Sequence, residues 1–175
     1  MRVIATAGHV DHGKSALVER LTGTHPDRWA EEQRRGLTID LGFGHTTVTA
    51  TDGTEHEVSL VDVPGHVRFL RNMLAGVGAV DACVFVVDAG EGWKPQSEEH
   101  LRILQLLGIG HGIVVLTKCD LVDDDLLELQ QFDVREHLAG TFLADAPIVG
   151  VSVMPGFETT VDTLRSAVAD LAAHT

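Results

Sequence analysis

The feature that most constrains this chain is an eight-residue segment close to its amino terminus. Residues 8–15 read Gly-His-Val-Asp-His-Gly-Lys-Ser, which matches the phosphate-loop pattern G-x-x-x-x-G-K-[ST]. An apolar run at 2–7 precedes the segment, and a helical pattern at 14–21 follows it. The alternative is a glycine-rich turn that matches the pattern by chance, and the strand before it and the helix after it argue against that alternative. The segment therefore predicts a phosphate-binding loop between a first strand and a first helix.

The residue types in this loop suit a bound phosphate. Glycines let backbone N–H groups turn toward an anion, and the amino terminus of the following helix adds partial positive charge. Lys14 is placed to reach the β- and γ-phosphates of a nucleotide, and the Ser15 hydroxyl is placed to bind Mg²⁺. The residues expected to bind the nucleotide here are His9, Val10, Asp11, His12, Gly13, Lys14, Ser15 and Ala16.

Apolar runs alternate with helical patterns along most of the chain. Short runs rich in valine, isoleucine and leucine predict buried strands at 2–7, 58–63, 82–88, 113–117 and 147–152. Helical patterns are found at 14–21, 68–74, 96–107, 123–138 and 159–173.

The segments 45–51 and 55–60 alternate apolar and polar residues on either side of Asp52-Gly53, which indicates a hairpin. One edge strand of the sheet is therefore antiparallel. The whole pattern predicts an α/β fold, a doubly wound and mostly parallel six-stranded sheet with helices on both faces. In such folds the ligand binds at the carboxyl ends of the strands. Ser97 is the expected cap of the helix at 96–107.

Length and composition exclude several classes of protein. A chain of 175 residues predicts one domain, and its net charge of −13 argues against broad binding to nucleic acid or to an anionic membrane. The two cysteines provide neither a disulfide framework nor zinc-ligand spacing. The sequence shows no signal-peptide pattern and no apolar window long enough to cross a membrane. We therefore expect a cytoplasmic monomer that binds no membrane.

A second motif, Asp62-Val63-Pro64-Gly65-His66, follows the predicted strand at 58–63. Asp62 at that position can bind Mg²⁺ through a water, and the Gly65 N–H can reach a γ-phosphate. The same letters also form ordinary turns, but an intact phosphate loop favours the functional interpretation. His66 is either a residue that orients an attacking water or a solvated loop histidine.

A third motif, Thr117-Lys118-Cys119-Asp120, ends the predicted fifth strand. The Asp120 carboxylate can accept hydrogen bonds from the N1–H and N2–H₂ groups of guanine, which adenine does not offer. Lys118 can lay its aliphatic stem over the base. Ser152-Val153-Met154 is either a source of a backbone N–H for the guanine carbonyl or a plain strand-to-loop junction.

The ten histidines raise the question of a transition-metal site. No H-E-x-x-H or C-x-x-C pattern occurs, and His9 and His12 fall within the phosphate loop. We therefore expect no dedicated transition-metal site. The run 123–125, Asp-Asp-Asp, is interpreted as the acidic start of a helix rather than a cation site.

Together these segments resemble a translational GTPase domain over essentially the whole chain. The loop at 8–14 is similar to that of elongation factor Tu and its relatives, and Arg-Gly-Leu-Thr-Ile at 35–39 resembles their first switch. The continuation at 38–43, Thr-Ile-Asp-Leu-Gly-Phe, resembles the bacterial selenocysteine-specific elongation factors. Thr117 agrees with this, because these factors often carry threonine where the guanine motif usually has asparagine.

The resemblance implies roles for individual residues. Thr38 would close on Mg²⁺ and the γ-phosphate, His66 would position the hydrolytic water, and Asp11 would help to bind a monovalent cation. The implied catalytic residues are His66, Lys14, Thr38 and Gly65. The implied Mg²⁺ residues are Ser15, Thr38 and, through water, Asp62. The chain departs from the usual family residues at Ser15, at Val67 and at the pair Val153-Met154.

The resemblance further implies that residues 1–175 are a GTP-binding domain excised from the amino-terminal end of a longer, multidomain factor. That factor would deliver selenocysteinyl-tRNA to the ribosome and would bind an mRNA hairpin through carboxyl-terminal domains. No arginine finger is evident in the sequence, so we expect slow GTP hydrolysis by the chain alone and stimulation by the ribosome.

Three other interpretations stay open. The chain could belong to a factor like elongation factor Tu or like the gamma subunit of archaeal-type initiation factor 2. It could instead be a P-loop ATPase or small-molecule kinase, which would bind ATP more tightly than GTP. It could also be a nucleotide-locked binding module without physiological turnover.

Overall fold

The computed structural model describes residues 1–24, 42–62 and 80–175, and those residues form a six-stranded sheet with helices packed against it. The strands are β1 (Arg2–Gly8), β2 (Gly42–Thr49), β3 (Glu55–Asp62), β4 (Ala82–Asp88), β5 (Gly112–Thr117) and β6 (Ile148–Gly150). The helices are α1 (Lys14–Thr22), α2 (Pro95–Leu106), α3 (Asp124–Leu138) and α4 (Glu158–His174), with a short 3₁₀ turn at Cys119–Leu121. The predicted helix at 68–74 lies outside the described residues.

The sheet has the predicted six strands and the predicted strand directions. Its strand order is β2-β3-β1-β4-β5-β6, with β2 and β3 antiparallel and every other neighbouring pair parallel. The turn between β2 and β3 contains Gly53 at a φ of 85°, and the Asp52 carboxylate accepts the N–H of Thr54 at 2.9 Å. The hairpin and its antiparallel edge strand are therefore confirmed. β6 is only three residues long, shorter than the predicted strand at 147–152.

Apolar side chains fill both faces of the sheet. On one face α1 and α4 pack against the strands through residues such as Leu17 and Leu164, and on the other α2 and α3 do so through Leu104 and Leu138. Because both faces are covered, all seven residues of β4 are buried. The predicted doubly wound arrangement is confirmed, and the strand ends are left as the polar edge of the domain.

The helix starts test two local predictions. Asp123 caps α3 by accepting the N–H of Leu126 at 2.8 Å, so the acidic run begins a helix as predicted. The prediction that Ser97 is the cap of α2 is wrong. The helix begins at Pro95, so Lys94 is the residue in the cap position. Ser97 lies inside the first turn, where its hydroxyl accepts the N–H of Lys94. Within the described ranges, no helix combines the length and the apolarity that crossing a membrane requires.

Candidate nucleotide-binding site

The phosphate loop connects β1 to α1 at the carboxyl edge of the sheet. Gly8 ends β1 at a φ of 136°, and a Cβ there would lie 2.1 Å from the carbonyl oxygen of Val86 on β4. Gly13 precedes α1 at a φ of 93°. Both positions therefore require glycine, because a side chain would clash or would strain the backbone. The two glycines of the motif are explained by the way β1 passes into α1.

Lys14 is enclosed by this loop. Its side chain is buried, and Nζ donates a hydrogen bond to the carbonyl oxygen of His9 at 2.8 Å. Burial lowers the pKa of Lys14 to about 8, although the charges of Asp62 and Asp11 act in the opposite direction. A phosphate that replaced the lost hydration would favour the charged ammonium.

The predicted Mg²⁺ residues Ser15 and Asp62 lie against each other. The Ser15 hydroxyl donates to Asp62 Oδ2 at 2.5 Å, and the Thr6 hydroxyl donates to Asp62 Oδ1 at 2.9 Å. Asp62 is fully buried at the end of β3. A hydroxyl and a carboxylate at the mouth of the phosphate loop are oxygen ligands of the kind that Mg²⁺ prefers, so these residues fit the ion.

His9 and His12 form a pair within the loop, with ring centroids 4.8 Å apart. His12 is fully buried, its Nδ1 accepts the N–H of Asp88 at 3.1 Å, and its Nε2 lies 3.4 Å from Glu91 Oε2. Burial, followed by the neighbouring His9, lowers the pKa of His12 to about 4. His12 is therefore neutral near pH 7.

The ligand atoms of His9, His12 and Glu91 lie within 4.8 Å of one another, which is close enough to consider a metal ion. The hydrogen bonding of His12 opposes that interpretation. Since Nδ1 accepts the N–H of Asp88, the single proton of the neutral ring must be on Nε2, the atom that faces Glu91. The group is better explained as a hydrogen-bonded support of the phosphate loop.

Two side chains of α2 also contact the loop, and the sequence analysis missed both. His100 Nδ1 accepts the N–H of Gly8 at 2.9 Å, and Gln96 Oε1 accepts the N–H of Val10 at 3.1 Å. Burial, followed by the charge of Lys14, lowers the pKa of His100 to about 3. A signal was present in the sequence, because Gln96, His100 and the buried Leu104 are spaced four residues apart on one helix face.

A cavity of about 400 Å³ lies next to the phosphate loop, at the end of β5. Its walls are formed by Gly13, Ala16, Leu17, Thr117, Lys118, Asp120, Leu121, Val151, Val153 and Met154. The Thr117 hydroxyl donates to the carbonyl oxygen of His12 at 2.6 Å. The third motif is therefore bonded directly to the phosphate loop.

The third predicted base contact, residues 152–154, borders the same cavity. The N–H of Ser152 donates to the Thr160 hydroxyl, and the N–H of Met154 donates to the Ser152 hydroxyl, each at 3.1 Å. Two of the three backbone N–H groups are therefore already used within the protein. The segment is a strand-to-loop junction that also forms part of the cavity wall, and its contact with the guanine carbonyl stays a prediction.

The family model of the elongation factor Tu GTP binding domain matches residues 1–174. The chain belongs to this family. A selenocysteine-specific elongation factor of Desulfomicrobium baculatum is 46% identical over 171 residues, covering 98% of this chain and 26% of that protein.

Two solved structures show the same fold. The crystal structure of bacterial selenocysteine-specific elongation factor EF-Sec matches with a TM-score of 0.88 at 39% identity, over 100% of this chain and 29% of that one. Translation elongation factor SelB from Methanococcus maripaludis, in complex with the GTP analogue GppNHp, matches with a TM-score of 0.82 at 29% identity, over 99% and 34%. The chain thus spans between a quarter and about a third of the length of these relatives.

The structure of this GTP-binding domain brings together the predicted phosphate-loop and base-motif residues at one edge of the sheet. Three predicted site residues, Thr38, Gly65 and His66, lie outside the described residues. So does Val67, one of the departures from the family pattern.

Proposed function

We propose that this chain binds and hydrolyses GTP, and that it is the nucleotide-dependent switch domain of a selenocysteine-specific translation elongation factor. The observation that carries the proposal is the cavity flanked by Lys118 and Asp120, which is bonded to the phosphate loop through Thr117 and His12. One ligand with a base at one end and phosphates at the other would occupy both parts. The similarity to selenocysteine-specific factors supports the choice within the family.

In this proposal the base is recognised at the ends of β5 and β6. Asp120 accepts the N1–H and N2–H₂ groups of guanine, and the stem of Lys118 covers one face of the ring. Because the N–H groups of Ser152 and Met154 are used within the protein, we assign the contact with the guanine carbonyl to the N–H of Val153. These contacts select guanine over adenine.

The phosphates bind over residues 9–16, with Lys14 charged against the terminal phosphates. Ser15, Thr38 and, through water, Asp62 hold Mg²⁺, which when bound neutralises charge on the phosphate oxygens. The exposed carboxylate of Asp11 helps to bind a monovalent cation, a role that predicts faster hydrolysis in K⁺ than in a bulky organic cation.

Hydrolysis is proposed to depend on residues that must be aligned. His66 orients the attacking water, and the Gly65 N–H contacts the γ-phosphate. The chain alone then turns over slowly, and the ribosome stimulates hydrolysis by aligning His66 with the attacking water. In the complete cytoplasmic factor, which we expect to be monomeric, the further domains bind selenocysteinyl-tRNA and the mRNA hairpin.

Single-turnover hydrolysis of GTP by the full-length factor, with and without ribosomes, tests this proposal. We expect stimulation by ribosomes in the wild type and its loss in His66→Ala, with GTP binding unchanged. A chain that hydrolyses GTP at the ribosome-stimulated rate by itself, or a His66→Ala factor that is stimulated normally, would contradict the assigned mechanism.

A further inference from the structure

Two residues in unusual backbone conformations join the base cavity to the phosphate loop. Among the described residues, Asp11 and Lys118 alone combine a side chain with a positive φ, of 63° and 56° respectively. They contact each other, because Lys118 Nζ donates to the carbonyl oxygen of Asp11 at 2.9 Å. Such conformations persist only where the surroundings enforce them, and they are typical of functional sites.

The ammonium group of Lys118 has a second partner, the carboxylate of Asp88. Asp88 ends β4, lies beside Thr117 of β5 in the sheet register and is 4% exposed. Its Oδ2 lies 2.7 Å from Lys118 Nζ. Lys118 itself is 39% exposed, so without this ion pair the Asp11 carbonyl alone would oppose the entropy of its long side chain.

The two oxygens of Asp88 have different partners. Oδ1 accepts the N–H groups of Gly90 and Glu91, at 2.7 Å and 3.0 Å, and so shapes the turn after β4. Oδ2 faces Lys118. The backbone N–H of Asp88 donates to His12, within the phosphate loop. Asp88 is therefore in contact with both halves of the site, although it does not line the cavity.

We propose that Asp88 is a positioning residue for guanine-nucleotide binding, which acts by fixing Lys118 across the cavity wall and against the Asp11 carbonyl. Without Oδ2, the Lys118 stem leaves the face of the base, and the peptide after Asp11 loses a partner that fixes its left-handed conformation. The nucleotide then has to order both elements as it binds. This inference rests on the proposed base contacts of Lys118 and Asp120.

The divided contacts of Asp88 allow a selective test with Asp88→Asn. The amide oxygen can keep both N–H partners of Oδ1, which places the amide NH₂ opposite the Lys118 ammonium, donor against donor. In the full chain we expect the Kd for fluorescent mant-GDP to rise about tenfold, since one charge-assisted contact is lost. Asp88→Ala removes both sets of contacts and is expected to lower the melting temperature as well.

Asp81→Asn is the matched control. Asp81 also accepts a backbone N–H, that of Val3 at 2.8 Å, and lies near a cation, Arg2, at 3.9 Å, but it is remote from the cavity. Its substitution is expected to leave the Kd for mant-GDP unchanged. Lys118→Met keeps an unbranched side chain and removes the charge. It therefore tests the same ion pair by removing the other partner, which is needed if Asp88→Asn fails to fold.

Loss of affinity in Asp88→Asn at an unchanged melting temperature, and no further loss when Lys118→Met is added, would support the inference. If Asp120→Asn weakens mant-GDP binding while Asp88→Asn and Lys118→Met do not, the inference is overturned and the base site stands. If Asp120→Asn also has no effect, the proposed base site itself is wrong. Independent, additive losses from Asp88→Asn and Lys118→Met would likewise overturn the positioning role.

Discussion

Asparagine in place of Asp120 perturbs the selection of the base with little change in shape. Asp120 lies in the 3₁₀ turn after β5, on the wall of the cavity. Its carboxylate offers two acceptors to the N1–H and N2–H₂ donors of guanine, whereas an amide offers one acceptor and one donor group. The substitution therefore removes one hydrogen bond and sets two donors against each other.

A hydrogen bond to a charged group contributes about 1.5–3 kcal/mol, and an unpaired donor adds its own desolvation cost. We therefore expect Asp120→Asn to weaken GDP binding by roughly 2–4 kcal/mol, which corresponds to about 30- to 1,000-fold in Kd. Binding of xanthosine diphosphate should improve, because xanthine carries a carbonyl where guanine carries its amine. Equilibrium titration with mant-GDP, mant-XDP and mant-ADP measures all three.

Asp123→Asn, three residues further along, provides the control. Asp123 caps α3, and asparagine is an equally good cap, so neither stability nor nucleotide affinity should change. A Kd for mant-GDP that changes less than threefold in Asp120→Asn would refute the assignment. Equal losses of mant-GDP and mant-ADP would do the same, because they would indicate general damage to the site.

Three further predictions concern the phosphate loop. The pKa of Lys14 is about 8 in the free protein, and the charged form binds phosphate. The affinity for GDP should therefore fall about tenfold per pH unit above pH 8. A GDP affinity that does not change up to about pH 9.5 in titrations would contradict this prediction. The pKa of His100 is about 3 in the folded protein, against 6.5 for the free residue. Between these values the unfolded chain binds a proton that the folded chain does not. The free energy of unfolding therefore decreases as the pH drops from 6.5 toward 3, by up to about 1.4 kcal/mol per pH unit. His100→Asn keeps an acceptor for the Gly8 N–H, and its free energy of unfolding, measured with urea, should decrease less steeply with falling pH than that of the wild type. The same pH dependence in both proteins would contradict the role assigned to His100. Ser15→Ala should weaken nucleotide binding in Mg²⁺ and leave it unchanged in EDTA, because the hydroxyl is proposed to bind the ion. Equal losses of affinity in Mg²⁺ and in EDTA would show that the hydroxyl acts only through its hydrogen bond within the protein.

The parts of the fold that depend on short-range patterns could be predicted from the sequence. β4 and β5 are buried on both faces, so their apolar runs mark them clearly, and the alternation of strands with helices predicts a mostly parallel sheet. The glycines and Lys14 were identified because phosphate binding imposes fixed residue types at fixed spacing. Ser97 was misassigned because Pro95, which lacks an N–H, favours an earlier helix start.

The supporting residues of the site could not be predicted in the same way. Asp88 contacts Lys118, and His100 contacts Gly8, 92 residues away along the chain. Contacts of this kind depend on which strands become neighbours and on where a helix lies over a loop. No local pattern contains that information, although a carboxylate at the end of a buried parallel strand is a general signal of the site edge.

Selection of guanine by the cavity beside Asp120 is the property on which the proposed function most depends. Competitive titration of the chain with GTP and ATP, against bound mant-GDP and in the presence of Mg²⁺, measures this directly. We predict that GTP displaces mant-GDP at a concentration at least about a hundredfold lower than ATP, as expected when two charge-assisted hydrogen bonds are made with one base only. Displacement by ATP at an equal or lower concentration would contradict the selection of guanine by this cavity.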